Sequence, residues 1–118
     1  MDRMRVYIAG ALSTKPNGSQ CSITEYLTNV SKMCKRASEI KRRGYYPYVP
    51  ALDLLLGIVD GDWKEGEYYP LGMAFLEVCD AVLVISDSWG VRKEVERAKE
   101  LKIPVYYSLA ELEAYNKL

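Results

Sequence analysis

Histidine is absent from this 118-residue sequence. Its absence removes Ser–His and Cys–His nucleophile pairs, histidine-based zinc sites and histidine general bases. Any catalysis has to be run by carboxylates, tyrosine, lysine or cysteine, and no metal or cofactor is expected. Net charge is also lacking, since Lys+Arg and Asp+Glu number 16 each. With no overall field to attract DNA, RNA or an anionic bilayer, neither polymeric nucleic acid nor a membrane is expected as a partner. Cysteine is sparse: Cys21, Cys34 and Cys79 are odd in number and form no C-x-x-C pair, which points to free thiols in a reducing cytoplasm. No apolar run approaches the roughly 20 residues of a membrane span. Arg3 and Arg5 interrupt the apolar start, so no secretory signal is expected there. No G-x-G-x-x-G follows the first strand and no G-x-x-x-x-G-K-[ST] occurs, which argues against a dinucleotide enzyme and a P-loop kinase.

What remains is an ordinary globular balance, 49% hydrophobic and 27% charged, of a length that makes residues 1–118 one domain. Arg5 to Gly10 is a β-rich run ending at glycine, and 13–20 is a polar loop with Pro16 and Gly18. Ser22-Ile23-Thr24-Glu25 has the capping-box form. It predicts a helix to about Arg43, with Tyr26, Val30, Met33, Ala37 and Ile40 on one face and Gly44 as the stop. A second strand over Tyr45 to Val49, a short helix over Ala51 to Val59, and a helix over Trp63 to Val78 interrupted or delayed near Pro70 follow. Asp80 to Ser86 is the strongest strand, apolar on both faces as a central parallel strand is. A helix from about Val91 to Leu101, a strand over Ile103 to Tyr107 and a helix opened by Ser108 complete the chain. This order predicts an α/β, Rossmann-like (flavodoxin-like) fold: a small parallel sheet of about four strands with helices on both faces. In such sheets ligands sit beyond the carboxyl ends of the strands, here the loops at 10–20 and 87–90.

One acid stands out. At about 100° per residue, Val91, Val95, Ala98, Leu101 and Lys102 share an arc that faces the sheet, and Glu94 lies inside it. Arg92, Lys93, Glu96, Arg97, Lys99 and Glu100 project outside. A carboxylate there, in the first turn after a central strand, is expected to be kept ionised by the helix N-terminus. It needs water, a ligand or a hydrogen-bond partner, and it is suited to attack a sugar C1′. The bland alternative is an acid that caps its own helix or pairs with an arginine.

Asp80-Ala81-Val82-Leu83-Val84, Ser88-Trp89-Gly90-Val91, Glu94, Arg97-Ala98 and Ile103-Pro104-Val105, with Val6-Tyr7-Ile8-Ala9-Gly10 at the other end, resemble the nucleoside 2-deoxyribosyltransferase family. The resemblance is nearest to its 2′-deoxynucleoside 5′-phosphate N-hydrolase branch. It implies attack by a glutamate on C1′, a covalent glycosyl-enzyme passed to water or to another base, and a homo-oligomer, a dimer or larger. Residue by residue it implies Glu94 as the nucleophile, Tyr7 as its supporting tyrosine and Gly10 as the glycine that lets the sugar approach. Ser88 falls on the serine that holds a 5′-phosphate, beside a helix N-terminus. The family's aspartate that handles the departing base falls on Gly72; Asp62, Glu65, Glu67 and Glu77 are nearby acids among which spacing does not choose. The first loop, Ala11-Leu12-Ser13-Thr14, lacks the hydrolases' arginine, with Lys15 as a replacement.

The candidate site is therefore Glu94 and Tyr7 for catalysis, with Gly10, Ser13, Ser88, Trp89 and Gly90 for a nucleoside or nucleotide, Trp89 serving as a wall for the base. Asp80 reads as a turn-fixing residue, Cys79 as a small buried residue, Tyr45, Tyr46 and Tyr48 as strand packing, Lys32 to Arg43 as a solvated face, and Tyr106 and Tyr107 as oligomer contacts. Three functions fit: a (deoxy)nucleoside or nucleotide N-glycosidase or deoxyribosyltransferase, a nucleotide-binding module that has lost turnover, and a Rossmann-like protein for an unrelated small ligand.

Overall fold

A computed structural model describes residues 3–12 and 22–116 of the chain. The sheet contains β1 (Arg5–Ala9), β2 (Tyr46–Tyr48), β3 (Ala81–Val84) and β4 (Val105–Tyr106). All neighbours are parallel, in the order β2-β1-β3-β4. The helices are α1 (Ile23–Arg42), α2 (Leu54–Asp60), α3 (Tyr68–Leu76), α4 (Trp89–Glu100) and α5 (Leu109–Asn116). The sequence-derived α/β architecture is the one the chain adopts.

Alternation along the strands sorts the core into two layers. Val6, Ile8, Ala81, Leu83 and Tyr106 pack with Val30, Met33 and Ile40 of α1 and Leu112 of α5. Tyr7, Ala9, Val82 and Val84 face Met73 and Leu76 of α3 and Val91 and Ala98 of α4. The sheet is built outward in opposite senses, from β1 to β2 and from β3 to β4, which makes the carboxyl ends of β1 and β3 the topological switch point. Asp80 fixes that pairing: its Oδ2 accepts the Arg5 N–H at 2.8 Å, and its own N–H donates to the Arg5 carbonyl at 2.8 Å.

Helix ends follow local chemistry. Ser22 Oγ accepts the Glu25 N–H at 3.1 Å, and Gly44, at φ 99°, ends α1 in the left-handed region. The expected helix over Ala51 to Val59 is divided into a 3-10 turn, Pro50–Asp53, followed by α2. Pro70 sits in the first turn of α3, where a missing N–H costs no helical bond. Trp63 lies outside that helix and stacks on Tyr68, ring centroids 5.5 Å apart.

Two expectations about α4 need correction. The helix starts at Trp89 rather than Val91, because Ser88 caps it. Lys102 is exposed, not part of the inward arc; it lies beyond the helix at φ 61°, where the Ile103 N–H closes on the Ala98 carbonyl at 2.8 Å. Tyr106 is a core residue and not a surface contact, whereas Tyr107 is exposed. Among the described residues no helix is long and apolar enough to cross a membrane.

Candidate active site

Tyr7 lies in the middle of β1, an inner strand, and its place in the alternation turns it toward α3 and α4. The inward face of α4 brings Glu94 to meet it, and the Tyr7 hydroxyl donates to Glu94 Oε2. Glu94 is partly buried and lies in the second turn of α4, beyond the free N–H groups of the helix start. Burial therefore outweighs the dipole: desolvation raises the Glu94 carboxyl to about 7, opposed only by the bond from Tyr7. The expectation that the helix N-terminus keeps this acid ionised is thereby overturned, because the helix begins two residues earlier than its apolar pattern. Tyr7 is driven above the ordinary tyrosine range, first by burial and then by the charge of Glu94, so it remains the donor.

These two side chains border a pocket of about 150 Å³ at the switch point, walled also by Gly10, Tyr68, Tyr69 and Gly72. A Cβ on Gly10 would stand 2.8 Å from Met33 Sδ and 3.0 Å from Ile85 Cγ1, so any larger residue there requires the Met33 and Ile85 side chains to shift. Gly72 is buried, and a Cβ on it would lie 3.4 Å from Tyr7 Oη. Position 72, on which the resemblance places an aspartate, thus faces the Tyr7 hydroxyl and carries no carboxylate. The other acids do not fill the gap. Glu77 pairs with Arg97 at 3.3 Å, Glu67 accepts the Lys64 N–H at 2.7 Å, and Asp62 and Glu65 are exposed.

The loops after β1 and β3 are tied together by the Ala11 N–H donating to Ser86 Oγ at 2.7 Å. Ser88 Oγ accepts the Val91 N–H at 3.1 Å and caps α4. Ser88, Trp89 and Gly90 all stand outside the lining of the small pocket. A Cβ on Gly90 would meet only Ser88 Oγ, at 3.9 Å, so packing does not require glycine there. Trp89 is exposed, and the Lys93 ammonium lies 3.7 Å from its ring centroid. Ser13 and Lys15 lie outside the described residues.

Several features were not evident from the sequence pattern. Tyr48 is more than strand packing: its hydroxyl donates to Asp53 Oδ2 at 2.6 Å, and its ring lies 5.6 Å from Tyr7 and 5.1 Å from Phe75. Burial, then the bond to Asp53, raises the Tyr48 phenol above its ordinary range. Tyr68 and Tyr69 reach the pocket from the first turn of α3. A larger concavity of about 500 Å³ is bordered by Val91, Val95 and Lys99 of α4 and by Tyr107, and includes neither Tyr7 nor Glu94. Cys34 and Cys79 are free thiols, and burial, with the neighbouring Asp80 charge, pushes Cys79 up to about 11, which makes it inert at neutral pH. No group of three or more acidic or cysteine side chains able to hold a metal ion occurs among the described residues.

Fold and site together define a doubly wound α/β domain whose switch point holds a tyrosine-bound carboxyl in a small pocket. The chain belongs to the family described as Domain of unknown function (DUF4406), whose model matches residues 4–107. That span contains β1 to β4 and every residue of the site. Neither the curated proteins nor the solved structures contain a match.

Proposed function

We propose that the chain cleaves the N-glycosidic bond of a 2′-deoxynucleoside or its 5′-monophosphate. The observation that carries this reading is the Tyr7–Glu94 pair in its pocket at the switch point. A carboxyl near 7 is about half ionised at neutral pH, and desolvation makes the ionised form a more reactive nucleophile. Tyr7 holds Oε2 and leaves Oε1 to bond to C1′ as the C1′–N bond breaks. The bonding pair departs with the base, which takes up a proton from solvent water. Water, or a second base, then attacks C1′ and releases Glu94. A volume of about 150 Å³ is below the roughly 300–1,000 Å³ that encloses a drug-sized ligand, so the sugar is enclosed and the base stays in the opening.

The resemblance to nucleoside 2-deoxyribosyltransferases supports the same reading, as does its assignment of Glu94 and Tyr7. A homo-oligomer in a reducing cytoplasm is part of the proposal: α2 buries none of its own residues, and Ile58 and Val59 are exposed. The bare Gly72 favours a second reading, a nucleotide-binding module without turnover. Chromatographic detection of free base, with deoxynucleosides and their 5′-monophosphates as substrates, tests both. Release by the wild type and not by Glu94→Ala is the expected result. Binding without release by the wild type overturns the enzyme reading in favour of the module.

A further inference from the structure

Tyr7 does not meet Glu94 unaided. In the β1–β2 pairing Tyr7 stands opposite Tyr48, so both side chains leave the same face of the sheet, toward α3 and α4. Their ring centroids lie 5.6 Å apart, and the Tyr48 ring also stacks on Phe75 of α3 at 5.1 Å. Strand β2 is three residues long, pairs with β1 alone and carries at its centre Pro47, which donates no ladder bond. Its backbone therefore gives Tyr48 little hold. The tip of the side chain is tied instead: the Tyr48 hydroxyl donates to Asp53 Oδ2 at 2.6 Å.

Asp53 is placed to cap a helix and does not cap it. It stands at the N-cap of α2, where an aspartate ordinarily accepts an N–H of its own helix, yet its side chain makes no such bond. Its backbone is already helical, at φ −62° and ψ −27°, and not in the extended conformation that turns a capping side chain back onto the first turn. The carboxylate is directed to Tyr48, and α2 gains no cap from it. Asp53 lies outside the pocket lining, between Ala51 and Leu54, which belong to that lining. It reaches the site only through the ring it holds. The titratable groups that bear on Tyr7 are Glu94, Tyr48 and Asp53, and Cys79 bears in turn on Tyr48.

We propose that Asp53 is a positioning residue of the site: by holding the Tyr48 hydroxyl it fixes the ring that packs on Tyr7, and so keeps the Tyr7 phenol on Glu94. The inference rests on the reading of the Tyr7–Glu94 pair as the reactive centre. Asp53→Ala releases Tyr48, Tyr48→Phe keeps the packed ring but removes the bond, and Asp53→Asn retains an acceptor. The test follows the Glu94 side-chain carboxyl carbon in an NMR titration of wild type and these variants, alone and in the Tyr7→Phe background. Base release from a 2′-deoxynucleoside is assayed in parallel. When Tyr7 loosens from Glu94, the carboxylate loses a donor and its midpoint rises. Loss of the Asp53 charge alone would lower that midpoint, so the sign separates positioning from electrostatics. Asp53→Ala and Tyr48→Phe are each expected to raise the midpoint by about one pH unit, the low end of what a hydrogen bond to a charged group contributes. Asp53→Asn stays at or below the wild-type value, and in the Tyr7→Phe background neither change adds a rise. A fall or no change in Asp53→Ala or Tyr48→Phe overturns the proposal. So does a rise that persists without the Tyr7 hydroxyl or appears equally in Asp53→Asn. The expected rise in a protein whose wild type releases no base removes the glycosidase reading and leaves this one standing. Base release with a midpoint that Asp53→Ala does not raise does the reverse.

Discussion

Tyr7 and Glu94 lie 87 positions apart in the chain and are joined by one hydrogen bond, from phenol to carboxylate. That bond lowers the Glu94 pKa, while burial raises it to about 7. Tyr7→Phe removes the lowering influence and keeps the burial. The Glu94 midpoint is then expected to move above its wild-type value, as followed by the side-chain carboxyl carbon in an NMR titration. A midpoint that stays or falls refutes the pairing.

The same carboxyl links stability to pH. It titrates near 4.5 in the unfolded chain and near 7 in the fold, so the folded state binds its proton more tightly. Its favourable contribution is complete below pH 4.5 and is lost as pH rises through 7, amounting to about 3 kcal/mol. Glu94→Gln lacks this loss. Urea unfolding at pH 5 and pH 8 is expected to show the difference between wild type and Glu94→Gln shifting toward the variant at the higher pH. A difference independent of pH contradicts the raised value.

Gly72→Asp places a carboxylate beside Tyr7 Oη, since its Cβ would stand at 3.4 Å, an ordinary contact. If an acid at this position limits turnover, base release rises by about a hundredfold, the lower end of what a positioned general acid or base contributes. Gly72→Ala, the control, leaves turnover unchanged and gains about 0.5–1 kcal/mol of helix stability. Equal rates for both variants exclude position 72 as the reason for weak activity.

Gly10→Ala drives a methyl group against Met33 Sδ at 2.8 Å and Ile85 Cγ1 at 3.0 Å. A loss of about 1–3 kcal/mol is expected from overpacking, measured by urea unfolding. An unchanged midpoint would show that the glycine serves ligand approach alone.

Lys102 holds φ 61° with a side chain, a conformation costing about 1–2 kcal/mol that glycine avoids. Glycine's greater freedom in the unfolded chain cancels part of the gain. Lys102→Gly is expected to raise the melting temperature by a few degrees, and a fall would show that the lysine side chain makes a compensating contact.

The sequence displayed the fold clearly because period-two and period-3.6 patterns survive wherever a face is buried, as in Val6 to Ala9 and in Tyr26, Val30, Met33 and Ile40. The inward placement of Glu94 was legible for the same reason. Its ionisation was not, because the start of α4 depends on a cap, Ser88, that precedes the first apolar residue. Lys102 looked inward only because periodicity does not announce where a helix stops. The Tyr48–Asp53 bond depends on a side-chain meeting across a turn, which no single-element pattern encodes.

The position of β1 between β2 and β3 has a consequence for how the chain is made. During synthesis from the N-terminus, β1 finds β2 early, but its other edge stays open until Ala81–Val84 has emerged. Tyr7 has no carboxylate to bind until Glu94 follows. The domain cannot complete its central strand pair co-translationally in its first half. A nascent chain stalled before residue 81 is therefore the form most exposed to strand-edge aggregation, and the one a chaperone would have to shield.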